Sequence, residues 1–260
     1  MYFFRLLGGL SWIQGTIVVV TIFVTFSVVG VYAMHRFFNR KAVKGHHDVA
    51  GYVFTNFGVL YSVLLGFTVV NAQQRFDKMN QTTQVEAGYL LDLYRDAQVF
   101  PEKDREGIHL GIKTYITSVI NDEWQLMAGG VLSDKTIDAV DGLWNSYYAI
   151  NPSNKREEVW YVESVSKLNQ FMNARLARII GSEESLGAEM WTLLILGGII
   201  IAAFIWIFSL ESLLLHMLMA SILSGTIGFM LFLIYSLDTA FSGDVSVKST
   251  ALERILDSFK

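Results

Sequence analysis

The stretch that decides the fold is VLYSVLLGFTVVNAQQRF, residues 59–76. It opens as an apolar run and passes, without a break, into Asn71, Gln73, Gln74 and Arg75. With its lead-in from about residue 52, the apolar part matches the roughly 20 residues of helix that cross a hydrocarbon core of about 30 Å. It therefore reads as a membrane span that continues as a polar helix. Three further runs are long enough to span: 13–34, 190–208 and 213–237. The segment MYFFRLLGGLSW, residues 1–12, looks like the charged start of a signal peptide, but the long run behind it reads as an uncleaved span.

Composition supports this. Hydrophobic residues make up 52% of the 260 and charged residues 17%, with a mean hydropathy of +0.40. Soluble domains have about 45–50% apolar and about 25% charged residues. There is no cysteine, which excludes disulfides and thiolate chemistry. A net charge of −4 argues against nucleic acid as a partner, which needs a basic face. The expected partners are membrane lipid and inorganic ions.

The expected fold is all-α: a polytopic membrane protein with four transmembrane helices and an extramembrane helical bundle inserted between the second and third. The expected parts are a transmembrane hairpin (1–72), a helical domain (73–188), a second hairpin (189–237) and a tail (238–260). In the helical domain, Pro101 with Glu102, Asp104 and Glu106 marks a helix start. Ile108, Ile112, Tyr115, Ile116, Val119 and Ile120 form a buried stripe, and Gly129–Gly130 closes the helix. Ser133 caps the next helix. Asn154 and Glu157 fit a capping box, ahead of a stripe through Val162, Val165, Leu168, Met172, Leu176 and Ile179. The loop 35–48 carries Arg36, Arg40, Lys41 and Lys44 against Asp48, so the charge rule puts it in the cytoplasm of a bacterial inner membrane.

Candidate chemistry is sparse. No catalytic motif appears, and the protein reads as no enzyme. His46-His47-Asp48 is the only cluster resembling metal ligands, and a solvated basic loop is the plainer reading. Asp122-Glu123 reads as a solvated helix face, and Glu86, Asp92 and Asp96 as ion-pairing residues with Arg95 nearby. Glu211 and His216 fall at the turn of the second hairpin, within reach of interfacial water, and Asn56 is expected to hydrogen-bond another helix. No cofactor is expected. Asp238 and Asp244 flank a glycine, but two acids fall short of a Ca²⁺ loop of oxygen ligands.

The second span has two distinct faces. Val59, Val63, Phe67, Val70 and Gln74 share one stripe, with Asn71 beside its end. Gly58, Ser62 and Gly66 form a neighbouring small-residue stripe suited to close helix packing. In a symmetric ring the first stripe lines a narrow apolar neck; in a single four-helix bundle the spacing is ordinary helix contact.

SVLLGF, residues 62–67, followed by NAQQRF, resembles the pore-lining second span of bestrophin channels. More of the chain resembles the bestrophin-like domain family of bacterial and plastid membrane proteins. The shared marks are GHHDVAG (45–51), GVLYSVLLGFTVV (58–70), EAGYLLDLYRDA (86–97), DEW (122–124) and LDTAFSGDVSV (237–247). A tryptophan usual just after the second span is Asn71 here. The resemblance implies a homo-oligomeric ion channel, pentameric by analogy. Its neck would be Val59, Val63 and Phe67, its pore would continue past Val70, Asn71 and Gln74, and it would prefer anions. The helical domain's 12 Lys and Arg against 17 Asp and Glu favour cations if those acids face the path. A non-conducting membrane-anchored sensor or scaffold is the alternative from another class. The resemblance also implies cytoplasmic termini, opposite to the loop's charge.

Overall fold

Long apolar runs without proline leave the backbone only one way to satisfy its N–H and C=O groups in lipid, the helix. The computed structural model describes residues 11–37, 47–127, 129–208 and 212–259. Among them there is no strand. The helices are α1 (Trp12–Phe37), α2 (His47–Asp96), α3 (Glu102–Ser118), α4 (Trp124–Met127), α5 (Asp134–Tyr148), α6 (Lys155–Glu183), α7 (Ala188–Ile207), α8 (Leu213–Asp238) and α9 (Thr250–Ser258). A 3₁₀ turn, Ala97–Val99, follows α2, and a π-helical turn, Val119–Glu123, joins α3 to α4. Four helices are long and apolar enough to cross a membrane.

The chain divides into two compact units. The first comprises residues 1–75, 185–238 and 243–245; the second comprises 76–184, 239–242 and 246–260. In the first, α1 lies along α8 and also touches α7. Small residues let them approach: a Cβ on Gly30 would sit 2.0 Å from the Trp206 ring, and one on Gly15 2.4 Å from Phe232. The core of this unit gathers Val19, Tyr61, Leu65, Leu194, Ile201 and Leu231.

In the second unit α3 packs on α5 around Ile108, Ile112, Tyr115, Leu143, Tyr147 and Phe171. Pro101 precedes α3 in an extended conformation, with Glu102 and Asp104 in the first turn. Ser133 occupies the N-cap of α5 without a side-chain bond. At the start of α6, Asn154 Oδ1 accepts from Glu157 N–H at 3.0 Å. The returning carboxylate reaches the N–H of Ser153, one residue earlier than in a standard capping box. Gly130 adopts φ +71°, which a side chain resists, where the chain leaves α4.

Two expectations need correction here. The expected stripe of α6 holds in its middle, where Leu168 is buried and Val165 and Met172 pack on the core, but Val162 and Leu176 are exposed. Ser164, Phe171, Arg175, Arg178 and Gly181 share the buried face with Leu168. Two arginines turn inward because buried carboxylates await them. The helix through Val119 also does not run on as a plain α-helix, since Val119–Glu123 form a π turn in which Val119 and Glu123 are buried.

Candidate functional site

The faces of α2 in the first unit are fixed by what its inner side grips. Tyr61, Leu65, Thr68 and Ala72 recur at helical spacing and are buried. Tyr61 Oη donates to the Leu194 carbonyl at 2.7 Å. Its ring lies over Gly197, where a Cβ would meet it at 2.5 Å, and its hydroxyl over Gly198, where a Cβ would meet the oxygen at 2.9 Å. Thr68 satisfies its own hydroxyl on the Leu64 carbonyl, which lets it face inward.

The opposite face is Val59, Val63, Phe67 and Val70, exposed by 56, 51, 68 and 52%. Asn71 and Gln74, one turn further, are also exposed. Among the described residues this outward apolar stripe is left half or more uncovered. On the adjoining stripe Ser62 is exposed and bonds the Val59 carbonyl, while a Cβ at Gly58 or Gly66 would touch nothing within 4 Å. No other described helix packs closely on Gly58 or Gly66. Asn56 is a correction: it donates to the Tyr52 carbonyl of its own helix, 2.8 Å away, and is exposed. An acceptor one turn back competes with any other helix for this amide.

The polar end of this stripe is tied down by a residue of the LDTAFSGDVSV segment. The Asp238 side chain is 1% exposed. Its Oδ1 accepts from Arg75 Nη1 at 3.1 Å and from Leu186 N–H at 2.8 Å, and its Oδ2 from Trp191 Nε1 at 3.2 Å. One carboxylate thus joins α2, the α6–α7 connection, α7 and the end of α8. Asp244 Oδ2 accepts from Trp12 N–H at 2.8 Å, at the N-terminus of α1, where free N–H groups and the helix dipole favour an anion. Gly243 turns between the two acids with φ +77°. The two acids thus act as tethers, each engaged with donors of the protein.

His216 is also a correction. It is 1% exposed rather than within reach of water, with Nε2 at 2.8 Å from the Ile205 carbonyl and Nδ1 at 3.1 Å from His35 Nε2. Glu211, Arg40, Lys41, Lys44 and His46 lie outside the described residues. Among the described residues no group of three His, Cys, Asp or Glu side chains is placed to hold a metal.

In the second unit one acid of the DEW segment, Glu123, and one of the EAGYLLDLYRDA segment, Glu86, converge on the same arginine. Glu86 and Glu123 are fully buried, with Arg175 and Arg178. Arg178 donates to Glu86 Oε2 at 2.6 Å, to Glu86 Oε1 at 3.1 Å and to Glu123 Oε1 at 2.9 Å; Arg175 donates to Glu123 Oε2 at 2.7 Å. Tyr115 donates its hydroxyl to Glu86. Burial, and then the neighbouring Glu86, pushes the Tyr115 phenol well above its ordinary range. Two acids and two bases balance, and the multiple bonds offset the desolvation of four charges. Glu123 therefore does not lie on a solvated face. Asp122 does, and it pairs with Lys135 at 2.7 Å. Asp96 pairs with Lys167 at 3.0 Å. The arrangement braces the unit from within.

The family described as Bestrophin-like domain matches residues 21–252. The chain belongs to the bestrophin-like family. Solved structures share the fold of this bestrophin-like chain. A crystal structure of a mutant bacterial bestrophin homologue from Klebsiella pneumoniae superposes with a TM-score of 0.65, at 12% identity, over 94% of this chain and 97% of that one. Another mutant of a bacterial bestrophin homologue from the same organism gives 0.63 at 12% identity, over 94% and 98%. A crystal structure described as a membrane protein gives 0.64 at 13% identity, over 94% and 96%. No curated protein matches the chain. Family and apolar helices together make this bestrophin-like chain an integral membrane protein.

Proposed function

We propose that the protein is a homo-oligomeric ion channel, with five copies placing the outward face of α2 around a common pore. Val59, Val63, Phe67 and Val70 form an apolar neck, and Asn71 and Gln74 its polar mouth. The observation that carries this reading is the outward stripe itself: four bulky apolar residues at helical spacing, each half or more exposed, directly opposite the face that grips α7. A single α2 encloses nothing, so a path along this face needs further copies. Gly58, Ser62 and Gly66 then meet the neighbouring copy. An apolar constriction of this kind gates by wetting and dewetting.

The neck stripe carries no charge, so ion sign is set elsewhere. We assign a preference for anions on the family resemblance, with a cation channel, including one for Ca²⁺, as the alternative within the same architecture. The protein acts in a bacterial inner membrane with the basic 35–48 loop in the cytoplasm. A reporter fused after Lys260 that works only in the cytoplasm rejects that orientation. The activity is transport and not catalysis.

Purified protein in planar bilayers tests the pore. Single-channel currents should appear, and F67A, which removes the bulkiest neck residue, should raise the conductance. Reversal potentials in salt gradients give the ion sign. Absence of current, or currents unchanged by charged residues at positions 63 and 67, rejects the pore. The second reading, a sensor or scaffold, then stands on the exposed Val159, Val162, Leu176 and Ile180 of α6, an apolar surface suited to a protein partner.

A further inference from the structure

In the second unit a groove runs between α2 and α6. Its volume is about 430 Å³, within the range of ordinary small-molecule sites. Helical spacing builds both walls. On α2, Lys78, Gln81, Val85 and Tyr89 lie at i, i+3, i+7 and i+11. On α6, Gln170, Asn173, Ala174 and Ala177 lie at i, i+3, i+4 and i+7.

The two helices are clamped to each other beside the groove. Arg178 holds Glu86 by two bonds, and Gly181 comes so close to Met79 that a Cβ there would sit 2.1 Å from the sulfur. Ala174 and Ala177 carry only a methyl group each, so α6 leaves the space next to these contacts unfilled.

The charge on the walls is one-sided. They carry the Lys78 ammonium and no carboxylate, although residues 73–188 hold 17 Asp and Glu against 12 Lys and Arg. Acids of the same two helices serve other partners: Glu86 pairs with Arg178, Asp96 with Lys167 and Glu158 with Lys155. Asp77, next to Lys78 in sequence, is not on the walls. Lys78, Gln81, Gln170 and Asn173 are exposed, and among the described residues their side chains have no hydrogen-bond or ion-pair partner.

These groups select a ligand class. One ammonium balances one negative charge, and a phosphate group carries about −1.5 to −2, which asks for a second cation. A water takes up about 30 Å³ of liquid, so an ion of that order leaves most of the groove empty. Three primary amides offer donors and acceptors to a larger polar body, and Val85 and Tyr89 offer apolar surface. We propose that this groove binds a small organic monocarboxylate. Lys78 takes the carboxylate, Gln81, Gln170 and Asn173 hydrogen-bond the polar body, and Val85 and Tyr89 cover the apolar part. One copy of the chain forms the site, and it does not depend on conduction.

Hippurate, a carboxylate with one amide and one ring, is the probe. It is titrated calorimetrically into the full chain in lipid nanodiscs at fixed ionic strength. The Kd should be about 1 mM or tighter, and the uncharged methyl ester should bind at least about tenfold more weakly. K78Q should lose hippurate by the same factor, while K103Q, at an exposed lysine of α3 away from the groove, should bind as the parent does. A177F, at an exposed position, should fill the groove and abolish binding with the unfolding midpoint unchanged. No binding by the parent chain, an ester that binds as well as hippurate, equal losses in K78Q and K103Q, or binding that survives A177F overturns the proposal. If A177F does not fold, the side-chain amide ¹⁵N–¹H signals of Gln81, Gln170 and Asn173 decide: hippurate should shift them, and unmoved signals overturn the site.

Discussion

Arg178 is buried completely, and everything polar around it exists to make that tolerable. Removing one partner of a buried pair leaves an uncompensated charge. E86Q should therefore lower stability by about 3–5 kcal/mol, read as a drop in the unfolding midpoint of the detergent-solubilised chain. Replacing both partners, as in E86L with R178M, should lose less than E86Q alone, because no orphan charge remains. Tyr115 adds a pH signature. Its phenol is raised in the folded state by burial and by Glu86, while the unfolded phenol ionises near about pH 10. A raised group contributes stability that is present below the unfolded value and is lost as pH rises above it. Stability should therefore fall above about pH 10 in the native chain, and the alkaline fall of the melting midpoint should be shallower in Y115F. These residues also mark where sequence reading ran out. The spacing of Val162 and Leu176 outlined an apolar stripe, but periodicity weighs side chains by hydropathy alone. It had no way to show that Glu86, 92 residues before Arg178, would supply the counter-charge that turns the arginine face inward.

At the scale of elements, the π turn Val119–Glu123 carries one of the buried carboxylates. Glu123 follows Val119 by four residues and Tyr115 by eight, so it continues their buried face, where Arg175 and Arg178 meet it. Deleting Asn121 should restore an α-helix, swing Glu123 off its partners and destabilise the chain at least as much as E123Q; comparative thermal unfolding of the two variants checks it. A π turn costs a hydrogen-bond register without changing residue types, so nothing in VINDEW announces it. The contact of α2 with α7 is specified differently. The Gly197–Gly198 pair is readable as small residues in a span, yet its purpose shows only with the Tyr61 ring against it. G197A puts a methyl 2.5 Å from that ring. Overpacking typically costs about 1–3 kcal/mol, so G197A should lower the unfolding midpoint, and Y61L should recover part of the loss in the double variant. The four spans, the unbroken run of α2 past Gln74 and the Asn154 cap were all legible, because each rests on local chemistry: run length, the absence of a breaker, and an oxygen three residues ahead of a free N–H.

For the whole molecule the question is what covers the outward side of α2. Among the described residues, the stripe from Val59 to Val70 is half or more exposed and a Cβ at Gly58 or Gly66 would meet nothing within 4 Å, while the inner side of the same helix is bound by a tyrosine and, at Arg75, by a buried carboxylate. A helix held so firmly on one side and left bare on the other is presented to something. Lipid accepts apolar side chains but gains little from Gly58, Ser62 and Gly66, which favour a close helix contact. This gives a prediction that separates folding from assembly. A side chain at Gly66 meets nothing within 4 Å in the chain, so G66L should leave the stability of the isolated protomer unchanged to within about 0.5 kcal/mol. If copies of the chain meet through this stripe, the same leucine should block the contact, and native mass spectrometry in mild detergent should show G66L shifted from oligomer to monomer. G197A is the control in the opposite sense: it loosens α2 from α7 inside the protomer and should lower the unfolding midpoint at any assembly state. A parent chain that is strictly monomeric, or a G66L oligomer as abundant as the parent's, would place the outward face of α2 against lipid alone and leave the proposed pore without walls.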